Sequence, residues 1–355
     1  MKLYNEKEDN ILKLYSPCPS GKAYSRESVY QYTYPLIDAS IIVPCYNAEQ
    51  YLNECLNSIF KQQTKYHFEV IAVNDGSKDE TASILADFQM KHSNLIVLTQ
   101  ENKGFSGARN TGIKSSRGKY LLFVDADDYI DGNYIQNLLD KAISNGCDIA
   151  ACGYYSFRNN KIYKKIIPKN SHDRKLLNGC FWGKAFRRSL FEHIMLPEGY
   201  WYEDSILKYL VYPQIKSFAS VEGCMYAYRS NPKGITITSK YKIKALDTFY
   251  ITNLMIISVA NFIDEKQLFE QNFYDQLIKQ FYLNQCRISK LPLKCQKRVF
   301  ELQSEFINKY YAGYKSNHRI NTLYEHSLQK SCFLLSKILV KSEKVYKILN
   351  LVCAD

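Results

Sequence analysis

The sequence predicts an α/β protein: a mostly parallel central sheet with helices on both faces, plus a helical appendage on the C-terminal side. Three observations carry that expectation. Short apolar, β-branched runs alternate with segments of helical periodicity between Ser40 and Asp128. Polar and acidic clusters follow the ends of those runs, where open α/β sheets bind ligands. From about residue 242 onward Gly and Pro nearly vanish and helical spacing dominates.

Each element has its own reason. SIIVP, starting at Ser40, is a short β-branched run of the kind that forms a buried strand. AEQYLNECLNSIFKQ places Leu52, Leu56, Ile59 and Phe60 at helical spacing. FEVIAVNDGS reads as a second strand ending in a turn, and KDETASILADFQMKH as a second helix with Ser77 or Asp79 as its N-cap. NLIVLTQ is a third strand, SGARNTGIKSS a helix, and KYLLFVDADD a fourth strand running into three acids. CDIAACGYYSF predicts another strand, and the basic stretch 158–175 a solvated hairpin. GKAFRRSLFEHI and EDSILKYLVYPQI carry helical patterns. Four helices are expected after residue 242, broken near 261–266, 290–293 and 313–319. The division that follows is an extension over 1–38, an α/β domain over 39–240 split into halves 39–135 and 136–240, and a helical region over 241–355.

Composition narrows the class. The chain has 355 residues, with 46% apolar and 23% charged, an ordinary globular balance rather than a disordered or fibrous one. Its net charge of +12 favours anionic partners without choosing among them. The 11 Cys include no CxxC pair, so zinc-ligand spacing is absent, and MKLYNEKEDN lacks the apolar core of a secretory signal. Unpaired cysteines and that start point to a reducing cytoplasm. TFYITNLMIISVANFI, starting at Thr248, is the most apolar stretch, and its Thr, Asn and Ser favour a buried core helix over a membrane span.

Four motifs carry chemistry. In LLFVDADD, Asp125 and Asp127 would point the same way on an extended backbone, and two hard carboxylates suit Mg²⁺ or Mn²⁺. An acidic turn before the next helix explains the same residues equally well. In VNDGSKDET, Asp75 sits at a strand tip, where a carboxylate accepts from a base N–H; a tight turn explains its neighbours. In ENKGFSGARNTG the glycines do not follow the dinucleotide pattern, but Lys103 and Arg109 bring positive charge towards a diphosphate. In GYWYEDSILKYL, an acidic pair beside aromatic rings is either a general base or a helix cap.

Taken in order, SIIVPCYNAEQYL, VIAVNDGSKDET, ENKGFSGARNTGI, GKYLLFVDADDYI and PEGYWYEDSIL strongly resemble family 2 glycosyltransferases of the GT-A fold, nearest to bacterial enzymes that build capsules, lipooligosaccharides and other surface glycans. The likeness is firm over 39–135 and weaker to about 238. It implies a Rossmann-like GT-A domain in which Pro44, Tyr46, Asn47 and Glu49 hold the nucleotide, with Tyr46 on the base. It implies that Asp75 bonds the uracil ring and that Lys103 and Arg109 flank the nucleotide and its phosphates. Asp125, Ala126 and Asp127 match the DxD motif: Asp125 towards the ribose, Asp127 on a Mn²⁺ or Mg²⁺ ion, with Asp128 close enough for the ligand to slip by one. Asp204 matches the catalytic base, with Glu203 orienting it and Trp201 and Tyr202 lining the acceptor site. The implied activity is an inverting, metal-dependent transfer from a UDP-sugar donor to a glycan or lipid-linked acceptor in surface polysaccharide synthesis.

The C-terminal region carries net +7 of the +12, and its last predicted helix, 329–351, is basic and amphipathic. Docking its apolar face on the protein is the simpler account. Peripheral contact with the inner face of the cytoplasmic membrane, homo-oligomer formation and acceptor binding are the others. Two rivals to the transferase reading remain: a sugar nucleotidyltransferase, whose Gly-rich loop is missing from VPCYNAEQ, and a non-catalytic glycan- or partner-binding protein retaining the GT-A fold. No nucleic-acid motif accompanies the positive charge.

Overall fold

The computed structural model describes residues 1–3, 10–30, 37–232, 234, 238–317 and 319–341. The chain divides into two compact units: Tyr24–Gly199 with Ile206–Asn231, and Met1–Ala23 with Tyr200–Ser205 and Pro232–Asp355.

The first unit is built on one nine-stranded sheet. Its strands are β1 Ile37–Cys45, β2 Phe68–Asp75, β3 Leu95–Gln100, β4 Gly118–Phe123, β5 Tyr129–Ile130, β6 Ile149–Arg158, β7 Lys161–Ile166, β8 Lys184–Arg187 and β9 Phe218–Arg229. They run in the order β3-β2-β1-β4-β8-β6-β9-β5, with β7 paired to β6 outside this path. Pairing is parallel from β3 through β4 and mixed beyond, where β8 lies antiparallel to both β4 and β6. Helices α1 Leu52–Phe60, α2 Thr81–Lys91, α3 Gly104–Ser115 and α4 Tyr134–Ser144 connect the early strands.

Alternation along the strands puts helices on both faces. Ile41, Val43, Val70 and Ala72 share a core with Leu52, Leu56, Leu85, Leu138 and Leu139, so α1, α2 and α4 cover one face. Ile71 and Val73 pack on the other face with Ala108 of α3. α3 approaches that face closely: a Cβ on Gly112 would lie 2.5 Å from Ile42 Cγ2.

Two elements differ from expectation. Lys184–Arg187, expected as helix, is strand β8; Ala185 and Phe186 are fully buried between β4 and β6. A gap between two strands decides its conformation over the local helical pattern. β4 ends at Phe123, so Asp125 and Asp127 do not lie on extended backbone; they sit in a turn closed by the Asp128 amide on the Asp125 carbonyl (3.0 Å).

The second unit is helical: α5 Asp247–Ser258, α6 Gln271–Arg287, α7 Leu293–Tyr310, α8 Arg319–Gln329 and α9 Phe333–Lys341. The expected breaks at 261–266, 290–293 and 313–319 fall between helices or where α5 loosens into π and 3₁₀ turns. The expected helix over 329–351 is interrupted: Ser331 takes φ +49° and α9 begins at Phe333. Its portion beyond Lys341 lies outside the described residues. The helical stretch Ile243–Phe269 is long and apolar enough to cross a membrane, yet most of its apolar window is buried inside the structure. Leu3, Leu12 and Ala23 of the N-terminal segment are buried as well.

Candidate functional site

The first unit gathers its polar groups at the C-terminal ends of β1, β2 and β4. The loops after β1 and β2 clasp each other. The Asn47 amide donates to Ser77 Oγ (3.1 Å) and the Lys78 amide to Asn47 Oδ1 (2.8 Å). The Glu49 amide donates to Asp79 Oδ2 and the Glu80 amide to Glu49 Oε2, both at 3.0 Å. Asn47 takes φ +48°, a region Asn tolerates better than most residues. Asp79 also accepts from the Thr81 amide (3.1 Å), one of the unpaired donors that begin α2. The side chains of Asn47 and Glu49 therefore shape the loops, while Tyr46, 53% exposed beside them, is left as an open ring. Pro44 lies in register with Val73 near the end of β1.

Asp75 ends β2 and is almost wholly buried. Its Oδ1 accepts from Gln100 Nε2 (2.7 Å) and from the Lys103 amide (2.8 Å). Gln100 is held in turn by Thr111 of α3. The Oδ2 of Asp75 has no donor among the described residues, so a fixed carboxylate offers one free acceptor.

The third cluster is the acidic turn. Arg109 of α3 reaches Asp125 Oδ1 at 2.6 Å, its guanidinium 5.2 Å from the Phe181 ring. Ala126 packs into the core. Asp128 is buried: Tyr226 Oη donates to one of its oxygens and the Arg229 amide to the other, each at 2.7 Å. Burial, and then the neighbouring charges of Asp127 and Asp125, push its carboxyl well above the usual range. Asp128 is thereby a structural anchor, with both oxygens taken. Asn231 Nδ2 donates to Asp127 Oδ2 (2.9 Å), and Oδ1 accepts from no other residue among those described. Burial, reinforced by Asp125, raises the Asp127 carboxyl above its ordinary value, so its charge gains from a nearby cation.

A divalent cation is the group implied at Asp127. Among the described residues no three acid, His or Cys side chains gather as a closed cage. The open oxygens of Asp127 and Asp125 fit instead an ion that takes one or two protein oxygens and completes its shell with phosphates and water.

Arg229 was not singled out by the sequence. Its Nε donates to the Asp127 carbonyl (2.7 Å) and its terminal nitrogen pairs with Glu54. The guanidinium lies between the rings of Tyr51 (4.5 Å) and Phe157 (4.6 Å). It stitches the acidic turn to α1 and β6.

Trp201, Tyr202, Glu203 and Asp204 belong to the other unit. Tyr202 takes φ +68°, a strained conformation for an aromatic residue. Arg287 of α6, also missed by sequence reasoning, lies 3.9 Å from the Tyr202 ring centre, donates to Thr248 Oγ1 (3.0 Å) and comes within 4.0 Å of Asp204 Oδ2. The Trp201 amide donates to Asp247 Oδ2 (2.9 Å), which also pairs with Lys244. Asp204 itself stays half-exposed.

Residues 40–195 match the family model described as glycosyl transferase family 2. That stretch is a family 2 glycosyltransferase domain. The glycosyltransferase GlyA of Streptococcus pneumoniae serotype 4 is 34% identical over 54% of this chain, and the uncharacterized glycosyltransferase EpsJ of Bacillus subtilis is 33% identical over 57%. The matches span 30% and 63% of those two relatives' own lengths. The crystal structure of Staphylococcus aureus TarS 1-349 with UDP-GlcNAc superposes with a TM-score of 0.66 at 22% identity, covering 88% of this chain and 92% of that one. The α/β unit thus has the GT-A fold seen in TarS.

Proposed function

We propose that this chain is an inverting glycosyltransferase that moves a sugar from a UDP-sugar to a hydroxyl of a glycan or lipid-linked acceptor in bacterial surface polysaccharide synthesis. The observation that carries it is the acidic turn. Tyr226 and the Arg229 amide take both oxygens of Asp128, and Arg109 takes one of Asp125, so that among the described residues Asp125 and Asp127 each keep one carboxylate oxygen without a donor from another residue. A rigid turn with two partly open carboxylates beside Lys103 and Arg109 suits a metal-bound diphosphate. TarS, solved with UDP-GlcNAc, supports the choice of uridine donors.

The residues then take these roles. Tyr46 stacks on the base, and the free Oδ2 of Asp75 accepts the uracil N–H. Pro44, Asn47 and Glu49 shape the walls of the base site. Lys103 and Arg109 place positive charge along the diphosphate, and Arg109 also fixes Asp125 facing the ribose. Asp127 would hold Mn²⁺ or Mg²⁺, which when bound offsets charge on the departing diphosphate. Asp204 takes the proton of the acceptor hydroxyl as it attacks the anomeric carbon, because a sugar hydroxyl is a weak nucleophile without a base. Trp201, Tyr202 and Glu203 present the acceptor. Attack opposite the leaving group inverts the anomeric centre. Residues 39–240 would form the transferase domain and 241–355 an appendage for acceptor, membrane or self-association at the inner face of the membrane.

The test is thermal shift and donor hydrolysis across a panel of nucleotide sugars, with Mn²⁺ or EDTA. One UDP-sugar should stabilise the protein only with the cation. Asp127→Ala should abolish that shift, and Asp204→Asn should keep it while hydrolysis falls by about 10³-fold. Failure of every nucleotide sugar to bind would leave a non-catalytic protein with this fold as the better description.

A further inference from the structure

In the hairpin β6–β7, the outer strand β7 is exposed well beyond what its pairing requires. Asn159 and Asn160 take φ +46° and +58°, which makes the tight two-residue turn that matches strand twist. β7 pairs only with β6, and all its residues but Ile166 are exposed. A register shift opposite Ser156 and Phe157 leaves Tyr163 without a partner residue across the ladder. Tyr163 is 62% exposed, and Ile162 and Ile167 are each 58% exposed. Around these apolar side chains stand Arg158, Lys161, Lys164, Lys165 and Lys169, with no acid between 158 and 172. Asp131, from outside the hairpin, faces Lys165.

The hairpin is firmly mounted. A Cβ on Gly153 would come 2.4 Å from the Ile166 carbonyl, so the returning strand lies tight on β6. At its base, Tyr155 Oη bonds Tyr129 Oη (3.0 Å), and Phe157 covers the Arg229 guanidinium that holds the Asp127 carbonyl.

Exposed aliphatic and aromatic side chains set in a cluster of basic residues, with Asp131 facing Lys165, are costly in water and match one surface well: apolar groups enter the headgroup boundary while the lysines meet lipid phosphates. We propose that this hairpin docks the protein on an anionic membrane surface, with Ile162, Tyr163 and Ile167 inserted and the five cations at the headgroups. Charge complementarity selects anionic over neutral lipid. The apolar tip selects lipid over a soluble polyanion. Docking through this hairpin would orient the acidic turn of the same unit towards lipid-borne substrates, independently of the C-terminal helices.

The test is co-sedimentation of the full chain with vesicles of phosphatidylcholine alone or of an equimolar mixture with phosphatidylglycerol. The wild type should pellet with the anionic vesicles only, and less so in high salt. Lys161→Glu/Lys164→Glu/Lys165→Glu should cut partitioning by about a hundredfold or more. Ile162→Ser/Tyr163→Ser/Ile167→Ser should cut it by at least about tenfold, while Lys330→Glu/Lys341→Glu should bind as wild type. These exposed substitutions leave the core intact, and an unchanged melting curve checks that. Absence of partitioning, equal partitioning to neutral vesicles, or hairpin variants that bind as wild type would each overturn the proposal. Binding lost only in the lysine variant would overturn it too, since a purely electrostatic contact needs no membrane.

Discussion

Replacing Arg229 with Met probes the support beneath the acidic turn. Met keeps most of the apolar stem between Tyr51 and Phe157 but removes the charge and the Nε donor. The bond to the Asp127 carbonyl, from a charged donor at 2.7 Å, is worth about 1.5–3 kcal/mol. The pair with Glu54, whose side chain is 55% exposed, adds less than about 1 kcal/mol. Ring contacts of the cation add about 0.5–1 kcal/mol. Together these give about 3 kcal/mol, which for a unit of this size lowers Tm by roughly 6–12 °C. Differential scanning fluorimetry measures it. Arg229→Lys should fall between, because an ammonium keeps the charge near Glu54 but lacks the planar fork that also reaches the carbonyl. Donor affinity in the presence of Mn²⁺ should drop with Arg229→Met even at temperatures where the fold is intact. A Tm shift under about 2 °C with unchanged donor affinity would show that the turn holds itself, refuting the role given to Arg229.

Other expected outcomes concern separate sites. Asp75→Asn keeps an oxygen for Gln100 and Lys103 but turns the open acceptor into a donor; calorimetry should show UDP binding about 10–100-fold weaker with little change in Tm. Gly112→Ala should cost about 1–3 kcal/mol in urea unfolding, because its Cβ meets the buried Ile42 side chain. The pair Gly112→Ala/Ile42→Ala should be less destabilised than the sum of its parts. Asp140 is pulled down to about 2 by its bonds to Lys65, Tyr66 and Gln136. A depressed carboxyl stabilises the fold above its unfolded value near 4 and loses that contribution as pH falls towards 2. Asp140→Asn should therefore cost less than about 1 kcal/mol at neutral pH, since the pair is exposed and screened by salt. The difference from wild type should vanish near pH 2.

Much of the architecture is written in local pattern. The β-branched runs and the helices after them appear where the sequence puts them, because strands buried on both faces need near-continuous apolar runs. β8 escapes that logic. KAFR has an ordinary helical context, and only the vacancy between β4 and β6, set by segments far away in sequence, makes it a strand. The same holds for the site. Asp75, Asp125 and Asp127 are legible as acids at strand ends. Arg229 is not, since its partners Glu54 and Asp127 lie 175 and 102 residues away. Its one local signal is its place at the end of a strand rich in Tyr. Arg287 sits in an unremarkable helix, and only folding brings it over Tyr202.

The clasp between the loops after β1 and β2 has a kinetic consequence. Its hydrogen bonds draw every side chain from positions 47–81 and lock the amides of Asn47, Ala48, Glu49, Lys78 and Glu80. A nucleotide entering beside Tyr46, as proposed, would find walls already set, so its association would have no loop-ordering step to wait for. Those amides should exchange with deuterium slowly in the free protein and no slower once nucleotide is bound. Because the clasp is closed within one short span of chain, it can travel as a unit: grafted with its strands onto a different acceptor-binding half, it should carry its nucleotide preference along.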